Sequence, residues 1–467
     1  MVVTFHFLAA MLASIHALLN KRDSRAATLW LGAIWSLPLL GPILYLALGV
    51  NRIRRRAISL GVRQTVVRPI PRDLGETQTS AVENLEMLAR VVSRVIKQPL
   101  TPDNHLDPLV NGDEAFPAML AAIDSAKKSI SLLSYIFDND ASGKQFADAL
   151  ARAVKRGVQV RVLIDAAGTR YSWPPITHRL KHEKVPVAKF LPASLFTPWR
   201  VTTVNLRNHR KVLVIDGQTA FTGGMNIRQG NVLADKPKSP VRDLHFRIEG
   251  PVVAQLQEAF ASDWAFTTGE VLDGDLWFPE LPDRGHTVAR IITDGPDADF
   301  ETVRWTLLAA LAEAQNSVQI LTPYFLPGNS LVTALNLAAL RGVRVDIILP
   351  ANSNLRFVDW ASRSMWWQVL ERGCRIWLTP PPFDHSKLMI VDGHWVLLGS
   401  ANWDARSLRL NFELNLEAYG RNFAERMGKI IEEKLRGAHE MTLAEADARG
   451  YPTKLRDAIA RLFSPFL

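Results

Sequence analysis

Two segments of the chain carry the same reactive residue types at the same spacing. In each, a histidine is followed two residues later by a lysine and, five residues after that, by an aspartate: His209, Lys211 and Asp216 in the first copy, and His385, Lys387 and Asp392 in the second. Four apolar residues separate each lysine from its aspartate, which is typical of a buried strand. Side chains at positions i and i+2 of a strand lie on one face, so each histidine and lysine should point into one pocket. The aspartates complete the catalytic motif at the strand ends, where we expect them to brace the turn or the lysine.

An imidazole beside an ammonium group suits chemistry on a phosphodiester. A phosphodiester is anionic and repels nucleophiles, so Lys211 and Lys387 would neutralise its oxygens. One neutral histidine would attack phosphorus, while the other, protonated, would give a proton to the leaving alkoxide. Because the two histidines need opposite protonation states, activity should depend on pH in a bell-shaped manner that belongs to the coupled pair. The residues themselves do not decide which histidine is the nucleophile.

Further polar residues follow each motif at matching positions. Asn226 and Asn402 each close a Gly-x-x-Asn segment and are expected to donate hydrogen bonds to phosphate. Ser400 is expected to add a hydroxyl donor near phosphate in the second copy. The first copy has Gly224 at that position, so the two copies should be chemically unequal.

A carboxylate on its other ring nitrogen would orient each imidazole. Asp243 lies 34 residues after His209, and Glu413 lies 28 residues after His385. Both stand in short alternating segments typical of strands, so we expect both to act as histidine-orienting residues. No metal site is predicted, since the chain has neither a His-Glu-x-x-His segment nor clustered carboxylates, and the lysines supply the charge that a metal would bring.

A repeat of α/β elements positions the two motifs. Residues 115–166 and 303–351 each indicate the order helix, strand, helix, strand, with Tyr135 matching Tyr324. The strands are short and largely apolar, as in a sheet covered on both faces. The predicted fold class is therefore α/β, built from two pseudo-symmetric layered halves. A pseudo-twofold pairing of the halves would bring equivalent loops together.

The first 50 residues contain two apolar runs. Residues 2–19 and 26–50 are each long enough to cross a bilayer as a helix, which predicts a two-helix transmembrane hairpin. A cleaved signal peptide is the alternative, although no basic residue precedes the first run. Four arginines lie within residues 52–56 and favour a catalytic body on the cytoplasmic side of the inner membrane.

The remaining organisation follows from composition. The net charge of +9 suits an anionic partner, either a lipid surface, nucleic acid or a phosphate-bearing substrate. The lone cysteine excludes an internal disulfide and a cysteine-based zinc site. The basic amphipathic end, residues 454–467, either lies on a membrane or packs on the body. The predicted domains are a hairpin at 1–50, a linker at 51–102, the two halves at 103–285 and 286–436, and a helical tail at 437–467.

The paired motifs and their flanks resemble the phospholipase D superfamily, and within it the bacterial cardiolipin synthases. The narrower resemblance covers nearly the whole chain and depends on the N-terminal runs and on segments 208–211, 322–325 and 402–407. It implies two α/β halves with the site between them, His209 as nucleophile and His385 as general acid and base. It further implies that two phosphatidylglycerol molecules are joined into cardiolipin with release of glycerol, and that no cofactor is needed.

Two other functional classes remain open from the residues alone. One is a hydrolase of the same superfamily, either a lipid phospholipase D or a nuclease, and the other is a membrane-anchored binding protein with a dead site. Intact motifs in both halves argue against the dead site, and the apolar N-terminal runs argue against nucleic acid as the partner. The oligomeric state does not follow from the sequence.

Overall fold

The structure, a computed structural model, describes residues 2–21, 24–49, 82, 85–96, 98–192, 206–296 and 299–464. Two units are distinguished along the chain. One comprises residues 1–61 with 193–205, and the other comprises residues 62–192 with 206–467. Most of the predicted linker 51–102 lies outside the described residues, and the domain limits drawn from the sequence stay predictions.

The described part of the N-terminal unit is a small helical hairpin. It contains α1 (Val2–Asn20), α2 (Ser24–Ser36), α3 (Leu40–Leu44) and a π-helical turn at Tyr45–Gly49. Ala10, Ile34 and Tyr45 form its buried centre. The second apolar run is not one helix, because α2 ends before Pro38, a residue that cannot donate a backbone hydrogen bond.

The length of these helices bears on the predicted transmembrane hairpin. Among the residues that the structure describes, no helix is both long enough and apolar enough to cross a membrane. The helical pair is present, but the prediction that it spans a bilayer is not supported.

The larger unit is built from helices that cover a mixed sheet. Its helices are α4 (Glu86–Val95), α5 (Asn111–Ser125), α6 (Ala141–Lys155), α7 (Ile176–His182), α8 (Val253–Thr268), α9 (Thr302–Glu313), α10 (Asn329–Leu340), α11 (Arg356–Arg363), α12 (Trp367–Leu370), α13 (Arg421–Leu435), α14 (Leu443–Asp447) and α15 (Tyr451–Arg461). Its strands are β1 (Thr101–Val110), β2 (Ser129–Ser134), β3 (Gln159–Asp165), β4 (Val187–Phe190), β5 (Arg207–Asn208), β6 (Val212–Ile215), β7 (Thr219–Gly223), β8 (Val241–Arg242), β9 (Leu244–Glu249), β10 (Thr287–Asp294), β11 (Ser317–Leu321), β12 (Phe325–Leu326), β13 (Arg344–Pro350), β14 (Arg375–Thr379), β15 (Phe383–Asp384), β16 (Leu388–Val391), β17 (Trp395–Gly399), β18 (Trp403–Asp404), β19 (Asn411–Tyr419) and β20 (His439–Met441).

The sheet shows the repeat directly. Its order is β20-β14-β13-β11-β16-β17-β19-β10-β1-β9-β7-β6-β2-β3-β4, and the antiparallel pair β1 and β10 joins the two halves. In the first half β2 pairs in parallel with β3, and β6, β7 and β9 follow antiparallel. The second half repeats this pattern with β11, β13, β16, β17 and β19. The predicted α/β class and the two copies of helix, strand, helix, strand are confirmed.

A shared apolar core fixes the halves relative to each other. It joins side chains from both halves, among them Phe246, Phe260, Leu398, Leu414 and Met427. β6 and β16, which continue from the two motifs, are buried along their whole length in the packed sheet. Because packed interiors deform little, the loops that carry the motifs are held by a rigid frame.

Candidate active site

Each motif is anchored to the opposite half by a short parallel strand pair. β5 pairs with the start of β19, and the His209 amide donates to the Phe412 carbonyl at 2.8 Å. β15 pairs with β8, and the His385 amide donates to the Arg242 carbonyl at 2.7 Å. Each histidine is thus placed beside a segment of the other half that contains a carboxylate: Glu413 lies in β19, and Asp243 directly follows β8.

The histidine–carboxylate pairs consequently cross between the halves. His209 Nδ1 lies 3.0 Å from Glu413 Oε2, and His385 Nδ1 lies 2.8 Å from Asp243 Oδ2. Glu413 and Asp243 are almost completely buried. Burial alone would raise the pKa of each carboxyl, but its histidine and the nearby lysine charges outweigh that effect, so both pKa values are lowered. Both predicted orienting residues therefore contact a histidine. Each contacts the histidine of the other half, although its separation along the chain was counted from the histidine of its own half.

Both imidazoles line a single cavity of about 400 Å³. Asn226 and Asn402, the predicted phosphate donors, line it as well. The Asn226 side chain is fixed by the Ile136 amide, which donates to Oδ1 at 3.1 Å. Two histidines and two asparagines from separate halves therefore meet in one space.

Both lysines are buried, and neither is among the residues that line the cavity, so the prediction that each lysine shares a pocket with its histidine is wrong for the structure without substrate. Lys211 Nζ donates to the carbonyl of His209 at 2.6 Å, and Lys387 Nζ donates to the carbonyl of His385. Burial lowers the pKa of Lys211 to about 7 and that of Lys387 to about 8. Each ammonium is therefore poorly stabilised by the protein alone and would be stabilised by an anion.

The same burial acts on the imidazoles. Burial lowers the pKa of His385 to about 4, with the Lys387 charge adding to the effect. Burial also lowers the pKa of His209, against the opposing charge of Glu413. Both rings are therefore neutral near pH 7 in the protein alone, and an anionic phosphodiester beside them would favour protonation of one.

The structure corrects the role predicted for Ser400. Its hydroxyl does not line the cavity but donates to Glu413 Oε2 at 2.5 Å, and it accepts from the Leu414 amide at 2.9 Å. Ser400 therefore supports the partner of His209 instead of contacting phosphate. The counterpart Gly224 is explained by the same geometry, since a Cβ there would lie 2.3 Å from Asp243 Oδ1.

The motif aspartates lie at the opposite ends of β6 and β16 from the histidines. Asp216 accepts from the amides of Lys127, Lys128 and Ser129 at 2.7–3.2 Å. Asp392 accepts in the same way from the amides that open β11, at 2.7–2.8 Å. Neither lines the cavity. These contacts brace a turn, as expected, and leave the two aspartates outside the reacting groups.

Two tyrosines of the site were matched in the repeat but not assigned to it. The Tyr135 ring centroid lies 5.1 Å from that of His209, and the Lys211 Nζ lies 5.5 Å from the Tyr135 centroid. Tyr324 stands 6.3 Å from His385 in the equivalent place. Both tyrosines line the cavity. Their matching positions were the signal that could have identified them.

Other residues that line the cavity have no matching position in the repeat that could have identified them. Three arginines line the cavity, and none has a matching arginine in the other half: Arg207 of β5, and Arg228 and Arg406 outside the strands. Asn411 donates to Glu413 Oε1 at 3.0 Å and completes the surroundings of that carboxylate. Among the described residues, no group of three or more histidine, cysteine or acidic side chains is arranged to hold a metal ion.

Comparisons with known proteins show which family the chain is similar to. A family model described as "Cardiolipin synthase, PLD-like domain" matches residues 119–264 and 307–435, and one described as "Phospholipase_D-nuclease N-terminal" matches residues 8–49. Among solved structures, the phosphatidylserine synthase of Haemophilus influenzae Rd KW20 superposes with a TM-score of 0.61 at 16% identity, over 81% of this chain and 100% of that one. This likeness concerns the fold alone.

Curated relatives extend over almost the whole chain. The "Major cardiolipin synthase ClsA" of Bacillus subtilis (strain 168) is 32% identical over 476 residues, which cover 99% of this chain and 98% of that protein. The "Cardiolipin synthase" of Geobacillus sp. (strain WCH70) is 33% identical over 462 residues, which cover 98% and 91%. The fold and the paired motifs define a phospholipase D-like enzyme with two fused halves. Within that class, this chain belongs to the cardiolipin synthase family.

Proposed function

We propose that the protein transfers a phosphatidyl group from one phosphatidylglycerol molecule to another, forming cardiolipin and releasing glycerol. The observation that carries this proposal is the meeting of His209 and His385 on one cavity, each hydrogen-bonded through Nδ1 to a buried carboxylate. With Nδ1 held as the donor, Nε2 of each ring is left as the basic nitrogen. The relatives named as cardiolipin synthases support the choice of substrate.

The first half-reaction breaks the donor lipid. His209 Nε2 attacks phosphorus, the phosphorus–nitrogen bond forms, and the bond to the glycerol oxygen breaks. His385, protonated in the presence of the phosphodiester anion, gives its proton to that oxygen. The products are phosphatidyl-His209, free glycerol and neutral His385. His209 is named as the nucleophile because that order is usual in the phospholipase D superfamily.

The second half-reaction forms the product. A glycerol hydroxyl of the second phosphatidylglycerol attacks phosphorus, and neutral His385 takes its proton. The new phosphorus–oxygen bond forms as the bond to His209 Nε2 breaks, so both histidines return to their starting states. Hydrolysis differs only in that water replaces the acceptor hydroxyl, and exclusion of water from the site favours transfer.

Cationic and amide groups around the cavity suit two anionic headgroups. Lys211 and Lys387, buried next to the histidines, would neutralise the reacting phosphate, and Asn226 and Asn402 on the cavity wall would donate to its oxygens. Three arginines on the cavity wall add positive charge for the second phospholipid: Arg207, Arg228 and Arg406. Neither a metal nor a cofactor enters the proposal.

An exposed apolar surface supports a membrane as the partner. An exposed stripe on the side opposite buried Asp457 is formed by Leu455 and Ile459 of α15 and by Leu462 just beyond its end. Phe463, just beyond this helix, packs its ring 5.5 Å from Phe357 of α11. Exposed apolar stripes of this kind mark surfaces that bind either protein partners or the interface of a bilayer, and the lipid substrate favours the bilayer.

This surface reaches the cavity. Leu355, next to the start of α11, lines the cavity, as does the exposed Tyr171 from the first half. Trp173, two residues further on, is 90% exposed. We therefore place the cavity mouth at the lipid surface. We further propose that residues 1–50 anchor the enzyme to the cytoplasmic membrane, with the catalytic unit on the cytoplasmic side.

Purified protein in phosphatidylglycerol vesicles tests the reaction. Cardiolipin and glycerol should form in equal amounts, while phosphatidic acid without cardiolipin would establish a hydrolase and reject transfer. His209→Ala and His385→Ala should each abolish turnover, and His178→Ala, at an exposed position, should not. A rapid quench followed by peptide mass analysis should find the phosphatidyl adduct on His209. An adduct on His385 would reverse the assigned roles.

The lipid surface is tested separately. The double variant Leu455→Glu and Ile459→Glu should slow cardiolipin formation on vesicles but not on phosphatidylglycerol dispersed in detergent, because only the first requires docking to a bilayer. Lys454→Gln on the same helix is the matched control. Equal rates on vesicles for the wild type and the double variant would reject the proposal that this surface binds the bilayer.

A further inference from the structure

Buried ionic contacts hold the residues on both sides of each histidine. In the first half, Asp263 of α8 accepts from Asn208 Nδ2 at 2.8 Å and from Arg210 Nη1 at 2.9 Å. Asn208 and Arg210 are the immediate neighbours of His209 in the sequence. A single carboxylate on a helix therefore holds both neighbours of the proposed nucleophile.

The second half has the same arrangement with the charges reversed. Lys434 of α13 donates to Asp384 Oδ2 and, at 3.4 Å, to Ser386 Oγ. Asp384 and Ser386 are the immediate neighbours of His385. The helix carries the anion in the first half and the cation in the second. We call these two sets of contacts the Asp263 clasp and the Lys434 clasp.

The turns that the clasps hold are the same in both halves. The residue before each histidine accepts at its side-chain oxygen from the amide two positions later, at 3.2 Å in Asn208 and 3.0 Å in Asp384. The two helices also correspond, because α8 follows β9 and α13 follows β19, the strands that pair with β7 and β17. The geometry of the two clasps matches although their charges are opposite. This indicates that the site requires a contact from the helix to the neighbours of each histidine, and not a particular sign of charge.

Because the clasps are buried, the loss of one partner would displace the histidine ring that the clasp holds. Asp263, Arg210 and Asp384 are each at most 5% exposed, so an unpaired charge there would be costly. Arg210 Nε also donates to the carbonyl of Glu413 at 3.1 Å, which ties the first clasp to the partner of His209. A shift of the neighbours would carry the ring away from its carboxylate and from phosphorus.

We propose that Asp263 and Lys434 are positioning residues that aim the two histidines at one phosphorus atom. They act through the neighbours of the histidines and do not touch substrate. The proposal rests on the proposed function in taking the two histidines as the reacting groups. A purely structural ion pair would instead be replaceable at the cost of stability alone.

The decisive variant set removes one charge and then both. Lys434→Met leaves the Asp384 carboxylate buried without its cation and should lower kcat about 100-fold with KM nearly unchanged, the loss typical of a misplaced reacting group. Asp384→Asn combined with Lys434→Met copies the neutral Asn208 of the first half and should recover kcat to within about fivefold of wild type, because Asn still accepts from the Ser386 amide. Arg426→Met is the matched control, since Arg426 lies on the same helix and contacts Asp107 instead of the motif.

The chemical reactivity of the His385 ring provides a measurement that does not depend on turnover. The rate at which diethyl pyrocarbonate modifies His385, measured on its peptide by mass spectrometry, should change in Lys434→Met, return in the double variant and stay unchanged in Arg426→Met. Failure of wild-type protein to make cardiolipin would reject the proposed function, while the modification rates would still test the clasp. If kcat and the His385 modification rate of folded Lys434→Met match wild type, or if the folded double variant stays as impaired as the single one, the proposal is overturned.

Discussion

His209 and Glu413 are 204 residues apart in the sequence, and Nδ1 of the first lies 3.0 Å from Oε2 of the second. The equivalent pair, His385 and Asp243, spans 142 residues in the opposite direction along the chain. Each half thus supplies one histidine and the carboxylate that orients the other half's histidine. For the two histidines of the site, neither half alone supplies both the imidazole and its carboxylate.

Glu413→Gln should therefore impair the histidine of the other half. An amide retains the shape of the carboxylate but does not stabilise an imidazolium, so we expect kcat to fall about 100-fold with little change in KM. Asp243→Asn should act in the same way through His385. Steady-state kinetics on phosphatidylglycerol vesicles measure both, with Glu425→Gln on the exposed side of α13 as control. A loss confined to KM would show that these carboxylates bind substrate instead.

Gly224→Ala should inactivate the enzyme without unfolding it. The added Cβ would lie 2.3 Å from Asp243 Oδ1, so the carboxylate has to move away from His385. We expect kcat to fall about 100-fold, the loss typical of a displaced orienting group. Gly428→Ala is the matched control, because a Cβ at that helical position meets no atom within 4 Å. Unchanged kcat in folded Gly224→Ala protein would contradict the close approach.

The sequence assigned both limbs of the pH profile to the two histidines, but burial lowers the pKa of His385 to about 4 and also lowers that of His209, so the alkaline limb of kcat/KM should belong to the lysines. Lys211 and Lys387, with pKa values lowered by burial to about 7 and about 8, are cationic below those values and lose their charge as pH rises through them. We therefore expect kcat/KM to fall as pH rises from about 7 to above 8. In Lys387→Arg, the guanidinium keeps its charge at any such pH, so the fall that remains should follow Lys211 alone. Profiles of kcat/KM against pH for both proteins decide this, and identical alkaline limbs would exclude Lys387 as their source.

Asp216→Ala should affect stability more than chemistry. The carboxylate accepts from three consecutive backbone amides at the start of β2, and its loss leaves them unpaired. We expect the free energy of unfolding to fall by about 1–3 kcal/mol, while kcat of the remaining folded protein changes little. Denaturant unfolding together with kcat per folded molecule measures this. A stable but inactive variant would show that Asp216 takes part in the reaction.

The sequence by itself determined the reactive residue types, the repeat and the local geometry of each motif. The run of four apolar residues after each lysine predicted the buried strands β6 and β16 whatever the rest of the chain does, although His209 and Lys211 themselves lie in the turn before β6. The same local regularity predicted the strands and helices of both halves. The bracing role of Asp216 also followed, since it depends on the strand end and the turn beside it.

Only the tertiary structure decided which carboxylate serves which histidine. The pairing depends on β5 meeting β19 and on β15 meeting β8, contacts between segments far apart in the chain. Spacing along the sequence carries no information about such contacts. The contact of Ser400 with Glu413 was missed for the same reason, and so were the two clasps. A side chain's function there is set by the neighbours that packing brings to it.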